Sequence, residues 1–268
     1  MSHPHLPAEL LDHITDSLQD SKDALKNCCL VSKSWIPRTQ KHLFAKIVFE
    51  NASDLGAWKD AFPDPLASPA CYTTSLVIYC PEAVVATDAE EGGWIKAFSR
   101  VARLGVVTNR GYWDYHELSL IPFHGLSPLI TSLSVAFLDV PFARVLDLIL
   151  SFPLLEDLSV YSHGVFADHS EDNPNKQPTI TQPLCPPPLT GSLTLSISKG
   201  MKPIASPLLS LQGGLHFRKM DLTWDCEGDV SFTTALVERC RSTLESLRIV
   251  THGGTFNVLT PDRPLTSL

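Results

Sequence analysis

Basic charge is in short supply: 21 Lys and Arg stand against 29 Asp and Glu, giving a net charge of −8 and a pI near 5.6. Binding to nucleic acid or to an anionic membrane surface needs clustered cations to neutralise phosphate, so neither partner is expected. Long apolar runs are missing too. The most apolar stretch, VPFARVLDLILSFPLL, is cut by Arg144 and Asp147, and no charged leader precedes an apolar segment at the start. No membrane span and no signal peptide are therefore expected. The seven cysteines are odd in number and scattered, with Cys28 and Cys29 adjacent and no CxxC spacing. That pattern fits neither a disulfide framework nor a zinc site, and reduced thiols place the chain inside the cell, in cytoplasm or nucleus. Catalytic signatures are also wanting: there is no GxSxG elbow, no GxGxxG or Walker-type loop and no HExxH. The nearest cluster, HGVFADH with Asp168 and His169, lies in a loop rich in proline and charge, where ligands would not be preorganised. A non-catalytic protein with no metal and no cofactor is expected.

Apolar helical periodicity dominates the first forty-odd residues. In LPAELLDHITDSLQD, Pro7 suits a first helical turn, Glu9 complements the helix dipole, and Leu10, Leu11, Ile14 and Leu18 recur at three- and four-residue steps. Asp20 or Ser21 can cap a second helix, whose stripe runs through Ala24, Leu25, Cys28 and Cys29 to Leu30 and Val31. Ser32 or Ser34 can cap a third, led by Trp35 and Ile36 and closed by Leu43 and Phe44, with Pro37 tolerable only near its start. Three helices of this length bury too little surface to be stable alone without disulfides, metal or a partner. Part of this apolar surface is therefore expected to meet another chain or the rest of this one.

Leu6-Pro7, Glu9, Leu10, Ile14, Leu18, Leu25, the Leu30-Val31-Ser32 triplet and Trp35 together closely resemble the F-box, and the WIPRTQKHLF ending is similar to the version common in mushroom-forming (basidiomycete) fungi. Pro37 departs from the strictest animal pattern. The resemblance covers residues 6 to 44 and implies a helical domain over 6–48 that docks on the Skp-type adaptor of a Skp-cullin-F-box (SCF) ubiquitin ligase. It places Leu6, Pro7, Leu10, Ile14, Leu18, Val31 and Trp35 at or just beneath that contact.

Beyond Phe49, short apolar runs recur: TTSLVIY, VARLGVV, ITSLSVAF, LEDLSVY, TGSLTLSI, KMDLTW and LESLRIV. Aligned on Leu76, Leu104, Leu133, Leu158, Leu193, Leu222 and Leu247, they are spaced by 28, 29, 25, 35, 29 and 25 residues. The second apolar position is Ile78, Val106, Val135, Val160, Leu195, Trp224 and Ile249. Alternation of this kind makes a strand with one buried face, and a crossover in every unit stacks such strands in parallel. Crossover helices are predicted in PFARVLDLILSF, in SFTTALVERCRSTLES and in DLGAWKDAF. The period resembles that of leucine-rich repeats, at its upper edge. The expected fold is thus α/β: a three-helix F-box, then an irregular leucine-rich-repeat-like solenoid over 49–268 with a short-stranded parallel sheet. The position three residues past the second apolar one is Asn109 or His163 in two units but Pro81, Leu138 or Glu227 in others, so no regular asparagine ladder is expected.

The long step coincides with SHGVFADHSEDNPNKQPTITQPLCPPPL, read as an exposed insertion that serves as tether or partner-contacting loop. Cys71 and Cys80 flank the first run as small core or edge residues. The closing PLTSL echoes the PLITSL before Leu133, so Leu268 reads as a further anchor, and the chain is expected to be a fragment or truncated product of a longer repeat protein. Residues between the buried anchors point to the open face, with Tyr79, Arg103, Asp157, Tyr161, Asp221, Asp225 and Arg248 as candidate contacts to a protein substrate and Val77 and Val107 among them. The expected function is non-catalytic: the helices hold the Skp-type adaptor and cullin-RING ligase while the repeats hold a protein substrate. The alternatives are an F-box protein that binds the adaptor without delivering substrate, and an interaction scaffold with no role in ubiquitin transfer whose helices cap the repeats.

Overall fold

The computed structural model describes residues 7–79, 94–107, 123, 126, 128–137, 142–162, 188–198, 202–224, 230–251 and 254–259. The chain is α/β, with seven α-helices among the described residues and eight strands forming a parallel sheet. Three helices come first: α1 (Ala8–Ser17), α2 (Lys22–Val31) and α3 (Ile36–Leu43). The strands are β1 (Lys46–Phe49), β2 (Ser75–Tyr79), β3 (Arg103–Val107), β4 (Ser132–Phe137), β5 (Asp157–Ser162), β6 (Leu189–Ile197), β7 (Leu215–Trp224), β8 (Ser246–Thr251) and β9 (Gly254–Leu259). Spatial order equals sequence order, so every strand pairs with its predecessor and its successor. The crossovers include α4 (Ala52–Ala61), α5 (Phe142–Leu150), α6 (Lys202–Leu209) and α7 (Val230–Cys240), together with 3-10 turns at Pro69–Tyr72 and Trp94–Ala97.

Register shows why the strands form where they do. One inward row runs Ile47, Leu76, Leu104, Leu133, Leu158, Leu193, Met220 and Leu247, and a second runs Phe49, Ile78, Val106, Val135, Val160, Leu195, Leu222 and Ile249, all buried except the partly buried Ile47 and Ile249 at the two ends. Two corrections to the sequence alignment follow. The KIVF segment is a strand, so the spacing begins one unit earlier and residue 48 lies inside β1. In β7 the anchor is Met220 and the second inward residue is Leu222, two positions upstream of Leu222 and Trp224. The separations become 29, 28, 29, 25, 35, 27 and 27 residues, closer to one period. KMDLTW alternates over its full length, so Leu222 and Trp224 fit the anchor pattern as well as Met220 and Leu222 do, and only the pairing with β6 and β8 fixes the register. A third difference is β9, which turns back antiparallel on β8.

A backbone seam joins successive strand starts. The Ala45 carbonyl accepts from the amides of Thr74 and Ser75 (2.9 and 3.0 Å), Thr74 from Ala102 and Arg103 (3.0 Å each), Ala102 from Thr131 and Ser132 (2.9 and 3.0 Å), and Thr131 from Glu156 and Asp157 (2.8 and 2.9 Å). At the next step only Ser192 reaches the Glu156 carbonyl, at 2.7 Å. Gly191 sits there with φ +80° at a register shift, and a Cβ on it would lie 1.9 Å from the Glu156 oxygen. Only glycine fits so close a backbone approach in this left-handed conformation.

The helical front is continuous with the sheet. Phe44 closes α3 and meets Trp58 edge-on at 5.7 Å and Phe62 at 5.9 Å, while Phe49 of β1 meets Trp58 at 6.1 Å and Phe98 at 5.9 Å. Edge-to-face pairs add ~0.5–1.5 kcal/mol each beyond their burial, so this cluster cements the first crossover. The Thr73 hydroxyl donates to the Phe44 carbonyl at 3.0 Å, fixing the same junction from below.

Candidate functional site

Two surfaces are candidates, and each follows from the alternation of buried and exposed positions. The first lies on the helical front. Leu25 and Cys28 of α2 are buried, as are Thr15 and Thr39, whose hydroxyls donate back to the Leu11 and Trp35 carbonyls at 2.8 and 2.7 Å. Large apolar side chains are left outside: Leu10 is 51 % exposed, Ile14 37 %, Leu30 85 % and Val31 68 %. Leu10 and Ile14 are four residues apart and share one face of α1. Leu30 is two residues past Cys28, about 200° around the helix, so it points away from the buried side.

Of the sequence-predicted contacts, Pro7 is exposed at the N-cap of α1, one residue before the first turn. Leu18 is half-buried in the turn after α1, and Trp35 is half-buried at the N-cap of α3. Leu6 lies outside the described residues. Leu30 and Val31 do not continue the buried stripe of α2: both are exposed, and Leu30, absent from the expected contacts, lies on the side of the helix away from Leu25 and Cys28. The Ser32 hydroxyl accepts from the Ser34 amide rather than capping α3. Ser21 does cap α2, through the Ala24 amide.

What orients this front is a polar tie that the sequence reading overlooked. Arg38 holds Asp16 through two bonds, Nε to Oδ1 at 2.7 Å and Nη2 to Oδ2 at 2.5 Å, and His42 Nε2 lies 2.7 Å from Oδ1. Bonds from Arg38 first, then His42, hold the Asp16 carboxyl well below the usual carboxylate range, against the opposing effect of burial. Arg38 and His42 sit one turn apart on α3, so a single acid on α1 can take both. The tie fixes how α1 crosses α3, and with it where Leu10 and Ile14 face.

The second surface is the open face of the sheet. Its predicted residues fall into three register rows. Arg103 and Asp157 begin their strands, both exposed, and Asp157 accepts from the Ser192 hydroxyl. Asp221 and Arg248 are direct neighbours in the middle row, joined by a 3.0 Å ion pair. Tyr79 and Tyr161 share the third row with Val107 and Ala136 between them, all half-buried. Asp225 lies outside the described residues, as do Asp168, His169, Cys80, Asn109, His163, the insertion after β5 and Leu268. Cys71, expected as core or edge, is exposed in a 3-10 turn. Lys46 and Lys219 belong to the first row and were missed, the one because β1 went unrecognised, the other because the β7 register was misread.

No family model matches the chain, and no curated protein or solved structure matches it either. Among the described residues no group of three His, Cys, Asp or Glu is placed to hold a metal, and no helix is long and apolar enough to cross a membrane. The two surfaces differ in chemistry: exposed Leu10, Ile14, Leu30 and Val31 mark the helical one, and rows of charged, hydroxyl and tyrosine side chains mark the sheet face.

Proposed function

We propose that the chain is a substrate-recruiting subunit of a Skp-cullin-F-box ubiquitin ligase, its helical front an F-box and its sheet region an irregular leucine-rich-repeat-like solenoid. The observation that carries the reading is the set of exposed apolar side chains Leu10, Ile14, Leu30 and Val31 on a three-helix unit whose sequence resembles that motif. Burying such side chains against a partner is worth ~1.5–3 kcal/mol apiece when complete, enough to give the front a reason to associate. The parallel strands, each paired only with its sequence neighbours, support the solenoid reading. Function then comes from proximity: the front holds the adaptor, the sheet face holds a protein substrate, and a lysine of that substrate is kept at high effective concentration near the ubiquitin-bearing enzyme.

Co-purification with a recombinant Skp-type adaptor tests this. Wild-type protein is expected to hold the adaptor, and Leu10→Asp and Leu30→Asp to lose it while remaining folded. A folded wild-type protein that ignores the adaptor overturns the reading. A second reading is favoured by the way α3 runs through Phe44 into β1: the helices cap the sheet in an interaction scaffold with no role in ubiquitin transfer. Reconstituted ubiquitination of bound partners separates the two. Removing residues 1 to 48 does not, because that cut takes most of β1 with it.

A further inference from the structure

We propose that the open face of the sheet binds an extended, proline-rich partner segment with a charged residue at every third position, in the order acid, acid, base, acid. The inference rests on the substrate-holding role proposed above for this face and names the chemistry it would select.

One register row runs Lys46, Ser75, Arg103, Ser132, Asp157, Ser192, Lys219 and Ser246, the first residue of every parallel strand except β6 and β7, which begin further upstream. Charge occupies the odd strands and serine the even ones. All four charged residues are exposed and all four serines half-buried. Adjacent strands are ~4.8 Å apart, so the charges recur about every 9.6 Å. A polyproline II segment advances ~3.1 Å per residue with three residues per turn, or about 9.3 Å per turn, and presents every third side chain on one side. Laid across the strands, such a segment meets a charge at each turn and a hydroxyl between turns.

Sign and shape point the same way. A chain with a net charge of −8 carries three cations and one anion in this row. Lys46, Arg103 and Lys219 have no ion-pair partner among the described residues. The adjoining row is low over the middle strands, with Gly105, Ser134, Ser159 and Thr194, so a backbone can approach closely. In the third row Tyr79 and Tyr161 stand three strands apart, about 14 Å, where flat rings can take proline faces.

The test uses the full chain and synthetic peptides at low salt, read by backbone amide shifts in NMR. EPPEPPKPPE is expected to shift the amides around Lys46, Arg103, Asp157 and Lys219, and to bind more tightly than EEEKPPPPPP, which has the same composition. Arg103→Glu should weaken EPPEPPKPPE by about fivefold, the upper range for one exposed charge pair. Asp157→Lys should reverse the choice between EPPEPPKPPE and EPPEPPEPPE in favour of the latter, which a general loss of fold could not do. Equal binding of the two composition-matched peptides, no shift at millimolar peptide, or an unchanged choice in Asp157→Lys overturns the proposal. Adaptor binding is untouched by these outcomes, so failure here is distinct from failure of the F-box reading.

Discussion

Gly191 and Gly214 form a matched pair of probes. Both have left-handed backbones, φ +80° and +78°, so alanine at either carries a similar conformational cost of ~1 kcal/mol. Their surroundings differ. A Cβ at Gly214 would come 3.2 Å from the His216 imidazole, an exposed side chain that can turn aside. At Gly191 it would lie 1.9 Å from the Glu156 carbonyl oxygen and 2.7 Å from its carbon, which are main-chain atoms of the neighbouring strand connection. Relieving that clash separates the strand starts by roughly another ångström and stretches the 2.7 Å bond from the Ser192 amide beyond range. Losing the bond adds ~1 kcal/mol, and unsettling the packing of Leu193 and Leu195 adds at least as much again. Gly191→Ala is therefore expected to cost about 3 kcal/mol or more and Gly214→Ala about 1 kcal/mol. Urea unfolding followed by tryptophan fluorescence reads the difference, with Trp224 reporting from the adjacent strand. Thermal midpoints should separate by about 4–8 °C at ~2–4 °C per kcal/mol. Equal midpoints for the two variants would refute the close approach at Gly191.

Leu10→Asp and Leu30→Asp should each change stability by no more than ~0.5 kcal/mol, whereas Leu25→Asp, at a fully buried site, should unfold the helical front, as circular dichroism would show. Phe44→Ala should loosen that front from the sheet at a cost of ~2–3 kcal/mol, seen as a second, earlier transition in thermal unfolding. The Asp16 carboxyl, held low when folded, contributes stability that is present above its unfolded value of about 4 and fades as the pH falls further toward the folded one. Asp16→Asn should lack that fading: its urea midpoint should change less between pH 5 and pH 3 than the wild type's, and an identical acid dependence would contradict the tie to Arg38 and His42.

Legibility in the sequence tracked how much a pattern depends on neighbours in space. The leucine anchors at 76, 104, 133, 158, 193 and 247 were readable because burial on one face imposes apolar alternation directly. Helices α4, α5 and α7 were readable from period and flanks. β1 was not, as four residues next to a helix carry too little alternation to stand out. Nor was the antiparallel return of β9, which depends on a short connection rather than on any apolar signature. The register of β7 was ambiguous by two because a two-residue slip keeps every side chain on its own face. On the surface, the alternation of charge and serine along the row from Lys46 to Ser246 was invisible one strand at a time. It exists only once eight segments, far apart in sequence, are laid side by side.

The seam of carbonyls from Ala45 through Thr74, Ala102 and Thr131 to Glu156 is stitched by main-chain amides, so it asks little of the side chains that flank it. The Thr74 and Thr131 hydroxyls add to it, donating to the Ala45 and Ala102 carbonyls at 3.2 and 3.4 Å. Most substitutions at these positions, proline excepted where an amide must donate, would therefore leave the stitching intact. A chain with quite different letters could thus be threaded on the same spine, and slow amide exchange at Ser75, Arg103, Ser132 and Asp157 would be its signature.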